Sequence, residues 1–194
     1  MQRTRAIDLP AHFTMPADTL EAGTRSPIML RPLIWVHRAL GAAIAIALME
    51  LLAYWGGEPL VRVPFVTSIV LVTLLPRSEA ARPAAIIGGH LLSATAGLIA
   101  LWTLGPGEVA TVFGVGLATL LMAATRLVHP PGGIDAFLIP AEGLPATWVI
   151  NPVLIGAVAL AVFAGLWFWS ERTLRRHFEP RPPEHEDWPG TAGP

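Results

Sequence analysis

The chain alternates between apolar runs and short polar or proline-rich segments. Four runs, residues 34–55, 84–104, 109–127 and 152–169, approach or reach the roughly 20 residues that a helix needs to cross a hydrocarbon core. Trp35 and Trp55 lie at the two ends of the first run, as expected of aromatic anchors at a membrane interface. The pattern therefore predicts four membrane-spanning helices.

Two shorter apolar segments lie between these runs, Pro64–Pro76 and residues 130–140. A helix of about 13 residues rises only about 20 Å, which is less than the roughly 30 Å of a bilayer core. Proline lacks a backbone donor and interrupts helices, so Pro64, Pro130 and Pro131 mark breaks. We predict two short broken helices at membrane depth.

Each half of the chain repeats the order long span, short broken segment, long span, and a shift of about 67 residues places Ser68 over Asp135. Three crossings per half would invert the second half relative to the first, as in many transporters. The predicted fold class is an all-α membrane protein of two inverted repeats of three segments, with four full spans plus two short broken helices. In the alternative arrangement, each short segment enters the membrane and returns to the side from which it came. This is less favoured because it would put Arg77 and Arg82 on the same side as Glu58.

Composition and charge agree with a membrane protein. Hydrophobic residues make up 53% of the chain and charged residues 14%, against about 25% charged in soluble domains. All 13 basic residues are arginines, and there is no cysteine. With the N-terminus inside, the arginines at 77, 82, 126 and 172–176 also fall inside, as the positive-inside rule predicts.

Three regions follow from this organisation. Residues 1–33 form a cytoplasmic tail with no secretory signal. Residues 34–170 form the transmembrane domain, with repeat 1 at 34–104 and repeat 2 at 109–170. Residues 171–194 form a second cytoplasmic tail, first basic and then proline-rich and acidic. We expect an integral protein of a bacterial inner membrane.

The two breaks predict a binding site. If the half-helices begin near the midplane, their free N–H groups and positive ends point at a common place suited to a small anion or polar solute. Glycines allow close approach of a ligand, and hydroxyl groups add donors. The residues predicted to line this ion pathway are Thr67, Ser68, His90, His129, Gly132, Gly133 and Asp135.

The titratable residues leave alternatives open. Asp135 is either a partner of its own helix N-terminus, a protonated group, or a cation ligand. His129 and His90 either adjust protonation at the site or hydrogen-bond a carbonyl or a neighbouring helix. Glu50 is a functional candidate that alternatively reaches the interface. These residues do not supply metal ligands in register, so we expect neither a metal nor a cofactor.

Arg126, His129-Pro130-Pro131 and Gly133 together resemble the HPP family of small integral membrane proteins, named after that tripeptide. The motifs at 75–76, 82–83 and 87–94 extend the resemblance to about residues 31–170. Family members in plant plastids and cyanobacteria are implicated in nitrite transport, so the resemblance implies a small-anion transporter or channel. The family usually has Gly-Ala-Ser at residues 66–68 and commonly Thr at residue 135, where this chain has Val-Thr-Ser and Asp.

We therefore expect a transporter or channel for a small ion, nitrite-like by resemblance, and not an enzyme. Its expected partners are the lipid bilayer, a small inorganic ion and further copies of itself, with no nucleic acid. A proton-linked or cation-linked carrier using Asp135 is the first alternative. A membrane-embedded enzyme with Asp135 and a histidine as acid and base is another, and so is a non-catalytic assembly subunit.

Overall fold

Six helices make up most of the computed structural model, which describes residues 30–56 and 62–178. They are α1 (Leu30–Gly56), α2 (Arg62–Leu74), α3 (Pro83–Leu104), α4 (Glu108–Thr125), α5 (Gly133–Glu142) and α6 (Ile155–Phe178). Short 3-10 turns at Glu79–Ala81, Pro130–Gly132 and Ala146–Val149 connect them. The described residues include no β-strand, so the all-α prediction is confirmed.

The long helices lie where the four apolar runs predicted them. Four helical segments are long and apolar enough to cross a membrane, namely Arg31–Gly56, Pro83–Leu104, Glu108–Thr125 and Ala146–Phe178. The two proline-bounded segments form the short helices α2 and α5, of 13 and 10 residues. The prediction of four apolar helices of spanning length with two short helices is therefore confirmed for the described residues.

Several boundaries differ from the predicted ones. The first helix begins at Leu30, and α6 continues beyond the predicted end at residue 170 to Phe178. The segment 140–150, predicted as a loop, contains the last turn of α5 and a 3-10 turn. The predictions for residues 1–29, Glu58 and residues 179–194 lie outside the described part of the chain.

Pro140 lies inside α5, where it leaves the Ala136 carbonyl without its helical donor, and α5 packs against the α3–α4 hairpin at this point. The carbonyl of Ala136, to which residue 140 would donate if it were not proline, is so close to Gly114 that a Cβ there would lie 2.9 Å from it. The carbonyl of Pro140 itself accepts a hydrogen bond of 3.0 Å from the Gly107 N–H. Gly97 of α3 also packs directly on the Ala136 backbone. Small residues thus let α3, α4 and α5 approach closely, as membrane helices require.

A buried ion cluster, which we call the arginine clamp, joins the start of α1 to the last turns of α6. Arg38 donates to both carboxylate oxygens of Glu171, at 2.8 and 3.0 Å, and Arg175 donates to the same carboxylate at 3.0 Å. Arg38 also donates to the carbonyl of Leu74, the last residue of α2, at 2.9 Å. The beginning of α1 and the ends of α2 and α6 therefore lie together, on what we call the clamp side.

We predict that Glu171→Gln lowers the free energy of unfolding by about 2 kcal/mol, because it leaves two mostly buried guanidinium groups without a carboxylate. Thermal unfolding in detergent, followed by tryptophan fluorescence, measures the change. Glu79→Gln is the control, since Glu79 pairs with Arg82 on an exposed surface where such pairs contribute little. Equal falls in Tm for the two variants would contradict the prediction.

Candidate functional site

Four polar side chains meet in the interior of the helix bundle. Ser68 lies on α2, His90 on α3, His129 just before the Pro130–Gly132 turn, and Asp135 on α5. All four residues have 0% exposed surface. Polar groups are costly to bury unless they are hydrogen-bonded, so this histidine cluster needs partners for its members.

The cluster is a continuous series of short hydrogen bonds. Asp135 Oδ2 lies 2.6 Å from His90 Nδ1, and His90 Nε2 lies 3.0 Å from Ser68 Oγ. Ser68 Oγ lies 2.9 Å from His129 Nε2, and His129 Nδ1 lies 2.6 Å from the carbonyl oxygen of Ala80. The series therefore runs from a buried carboxyl group to the backbone of the turn between α2 and α3.

The carbonyl at its end fixes the direction of these hydrogen bonds. Because the Ala80 oxygen can only accept, His129 donates from Nδ1, and a neutral His129 then accepts at Nε2. Ser68 consequently donates to His129 and accepts from His90 Nε2–H. His90 Nδ1 and Asp135 Oδ2 are left to share one proton, either as a neutral acid and imidazole or as a carboxylate and imidazolium.

One acceptor in the cluster is unused. Asp135 Oδ1 is buried and has no hydrogen-bond partner among the described residues. The ring of Phe65 covers His90 from α2, with ring centroids 4.6 Å apart. The free oxygen is thus the acceptor of this cluster that has no partner among the described residues.

Close backbone contact between the HPP tripeptide region and α3 brings the histidines together. A Cβ on Gly89 would lie 2.5 Å from the Cβ of His129, and one on Gly132 would lie 3.0 Å from the backbone nitrogen of His90. Pro130 and Pro131 occupy the first positions of the 3-10 turn, where their missing donors cost least. The two glycines and the prolines therefore place His129 and Asp135 beside His90.

The structure brings together four of the seven residues predicted for the ion pathway, namely Ser68, His90, His129 and Asp135. Gly132 packs directly behind them, but Gly133 has no neighbour within 4 Å of an added Cβ. Thr67 is exposed and faces an outer groove of about 760 Å³ that Pro130 and Pro131 also line.

Two further candidates have different positions. Pro64 is buried, and its carbonyl lies 3.5 Å from Ser68 Oγ, within reach of the hydroxyl. Glu50 is exposed on α1. Within the described residues, no group of three or more histidine, aspartate or glutamate side chains has an arrangement suited to a metal ion.

Sequence reasoning did not find the Ala80 carbonyl or the arginine clamp. A backbone acceptor has no sequence signal, because every residue carries one. The arginine clamp does have a sequence signal, because Arg38 lies inside the first apolar run and a charge at that position needs a buried partner. Its partner Glu171, however, is 133 residues away.

Four apolar helices of membrane-spanning length and a buried polar cluster are typical of an integral membrane protein. Residues 27–177 match the family model described as HPP, transmembrane region. The chain therefore belongs to the HPP family, as the His-Pro-Pro motif predicted.

Two curated relatives from Dictyostelium discoideum are both described as transmembrane proteins. They are 35% and 38% identical to this chain over 109 residues. Each alignment covers 52% of this chain but only 38% and 35% of the relatives, so the chain spans little more than a third of their length. No solved structure matches.

We predict that Gly89→Ala destabilises the protein by about 2 kcal/mol, because the added methyl group overlaps His129 and cannot be relieved by a flexible side chain. Gly116→Ala is the matched control, since an added Cβ there has no neighbour within 4 Å and alanine favours a helix. Unfolding of both variants in detergent makes the comparison. Equal stability of the two variants would show that the close contact at Gly89 is not required.

Proposed function

We propose that this protein carries a small monovalent anion across the membrane together with a proton held by the histidine cluster. The observation that carries the proposal is the buried hydrogen-bond series from Asp135 through His90 and Ser68 to His129, with Asp135 Oδ1 unpartnered. Ionisable groups buried at membrane depth are expensive, and in transporters they commonly hold protons.

The charge of the cluster links the two ions. With one proton shared between Asp135 and His90, the four side chains have no net charge, and Asp135 gives an anion no attraction. A second proton on this pair makes both groups protonated and the cluster positive. An anion that then binds is neutralised locally, which lowers the cost of placing it in a medium of low dielectric constant. Anion and proton therefore move together.

The positions of Ser68 and Asp135 support the inverted repeat on which a midplane site depends. These two residues, counterparts in the repeat, contact the opposite ring nitrogens of His90. The end of α2 lies at the clamp side, whereas the end of α5 contacts the α3–α4 turn through Gly107. The two short helices therefore end in different parts of the bundle. This fits an arrangement with six crossings better than one with parallel halves.

The choice of nitrite rests on the family resemblance. A proton-linked carrier is compatible with an aspartate at position 135, because the protonated cluster is positive when the anion binds. A family member without a carboxylate at this position would bind the anion directly. Nitrite, formate and nitrate are all small monovalent anions, so the substrate class is wider than one ion. Cytoplasmic termini, a bacterial inner membrane and assembly into homo-oligomers stay predictions.

A second candidate function has one observation in its favour. Asp135, His90 and Ser68 follow the order of carboxylate, imidazole and hydroxyl found in serine hydrolases. We nevertheless propose that the protein is not an enzyme. The Ser68 hydroxyl is fully buried, is already bonded to His129, and lies within α2, where neighbouring backbone amides belong to the helix and are not free to bind an oxyanion.

In proteoliposomes, we predict uptake of nitrite, formate or nitrate that exceeds that of empty vesicles and increases with an inward proton gradient. Asp135→Asn keeps the shape of the side chain but cannot take the proton, so gradient-driven uptake should fall by roughly tenfold or more. Glu108→Gln, at the exposed start of α4, is the control and should transport normally. Anion uptake that changes neither with the proton gradient nor in the Asp135→Asn variant would contradict the proposal.

We predict that an active-site-directed fluorophosphonate does not label the wild-type protein in lipid nanodiscs. The reagent needs a free serine hydroxyl activated by a histidine, and Ser68 has no room beside it. Gel detection of the labelled protein measures the result. Labelling that disappears in Ser68→Ala would favour the hydrolase function instead.

A further inference from the structure

The hydrogen-bond series is not symmetric about the Asp135–His90 pair. On one side it continues through Ser68 and His129 to Ala80, and on the other it stops at the unpartnered Asp135 Oδ1. Ala80 belongs to the short turn Glu79–Ala81, which follows the end of α2. That end lies at the clamp side, so the series runs from the buried pair towards the clamp-side surface.

Surface exposure also increases along this direction. Asp135, His90, Ser68 and His129 are fully buried, Ala80 is half-buried, and Glu79 and Arg82 beside it are exposed. His129 is therefore the titratable member of the cluster closest in the series to the exposed turn. A proton that enters from this turn meets the His129 ring first.

Ser68 can adjust when His129 takes such a proton. A doubly protonated His129 no longer accepts at Nε2, so the Ser68 hydroxyl needs another acceptor. The Pro64 carbonyl, 3.5 Å from Ser68 Oγ, is in place to accept it. In this state Ser68 Oγ accepts from both imidazoles and passes no proton to His90, whose Nε2 already carries one. The change needs only the rotation of one hydroxyl group, which is fast compared with helix movement.

We propose that the buried Asp135–His90 pair exchanges protons with the clamp-side solution through His129. In the outward step, His90 gives its Nε2 proton to Ser68 Oγ while Ser68 gives its own to His129 Nε2, and the protonated His129 then gives its Nδ1 proton to water at the turn. The pair is left with one proton fewer, and water at the turn returns it by the reverse sequence, so no other reactant is required. His129 acts through its neighbours and is a positioning and relay residue. The inference rests on the proposed function and names the route by which the pair exchanges its proton with the clamp-side solution.

Other charged groups around His129 are few among the described side chains. His90 lies 5.1 Å away between ring centroids, with Asp135 behind it. Glu79 and Arg82 lie on or next to the turn whose carbonyl His129 binds, and Arg126 lies at the exposed end of α4. Both signs of charge occur at the surface, so a change at Glu79 or Arg82 alone would alter the local field but leave the relay connected.

The test is the exchange of the His90 ring N–H with D₂O, followed by NMR of detergent-solubilised protein labelled with ¹⁵N-histidine. His129→Gln is the informative variant, because an amide can still donate to the Ala80 carbonyl and accept from Ser68 but cannot take up a proton. We expect about tenfold slower exchange in this variant, since exchange then requires local opening of the helices. His37→Gln, in a separate contact with Ser170, is the control and should exchange as the wild type does.

A purely structural role for His129 predicts a different result. In that case His129→Gln would exchange at the wild-type rate, which would overturn the inference. His129→Asn provides a second test if the glutamine variant does not fold. It retains a side-chain amide but likewise takes up no proton, so it too should exchange slowly. The measurement needs no transport, so an inactive wild-type protein in vesicles would refute the proposed function without deciding the proton route.

Discussion

The position of the His90 ring is the constraint on which the rest of the structure depends. One ring nitrogen contacts Asp135 of α5 and the other contacts Ser68 of α2, so a single side chain on α3 connects both short helices. Lipid provides no hydrophobic force to press these helices together, and packing and hydrogen bonds have to do so. The close glycine contacts around His90 are consequences of this requirement, because a bulkier residue at 89 or 132 would push His129 or His90 aside.

The composition of the His-Pro-Pro-Gly motif follows from the same geometry. The histidine must leave α4 and reach the Ser68 hydroxyl, so the chain cannot continue as a helix at this point, and prolines enforce the break. Glycine is needed immediately afterwards, because the backbone at 132 touches the backbone of α3. The motif therefore places the His129 ring and the start of α5 against one face of α3. Its histidine, prolines and glycine each have a different physical role in this arrangement.

The sequence predicted those parts of the fold that depend on local patterns. Run lengths gave the four spans, proline positions gave the short helices, and the isolated charge at Asp135 marked a buried site. The mutual contacts of Ser68, His90 and Asp135 could not be predicted, because they depend on how three separate helices rotate about their axes. Thr67 shows why the rotation of a helix about its axis is difficult to predict from sequence. The apolar residues of α2 occur on all its sides, so the pattern did not reveal that Ser68 faces inward and Thr67 outward.

In the carrier that we propose, the two polar clusters would hold different parts of the helix bundle. On the clamp side, the arginine clamp joins α1 to α6 through several charge-assisted hydrogen bonds. Arg38 of the clamp also binds the carbonyl at the end of α2. The histidine cluster is fully buried, so in the proposed carrier an ion would reach Asp135 only after a short helix separates from α3. The hydrogen bonds that would resist this separation at His90 contribute about 1–3 kcal/mol each, an amount that thermal fluctuations supply on the timescale of collective helix motions. A change of proton number in the cluster alters these same bonds, so the proposed carrier would control protonation and access to its site through one set of contacts.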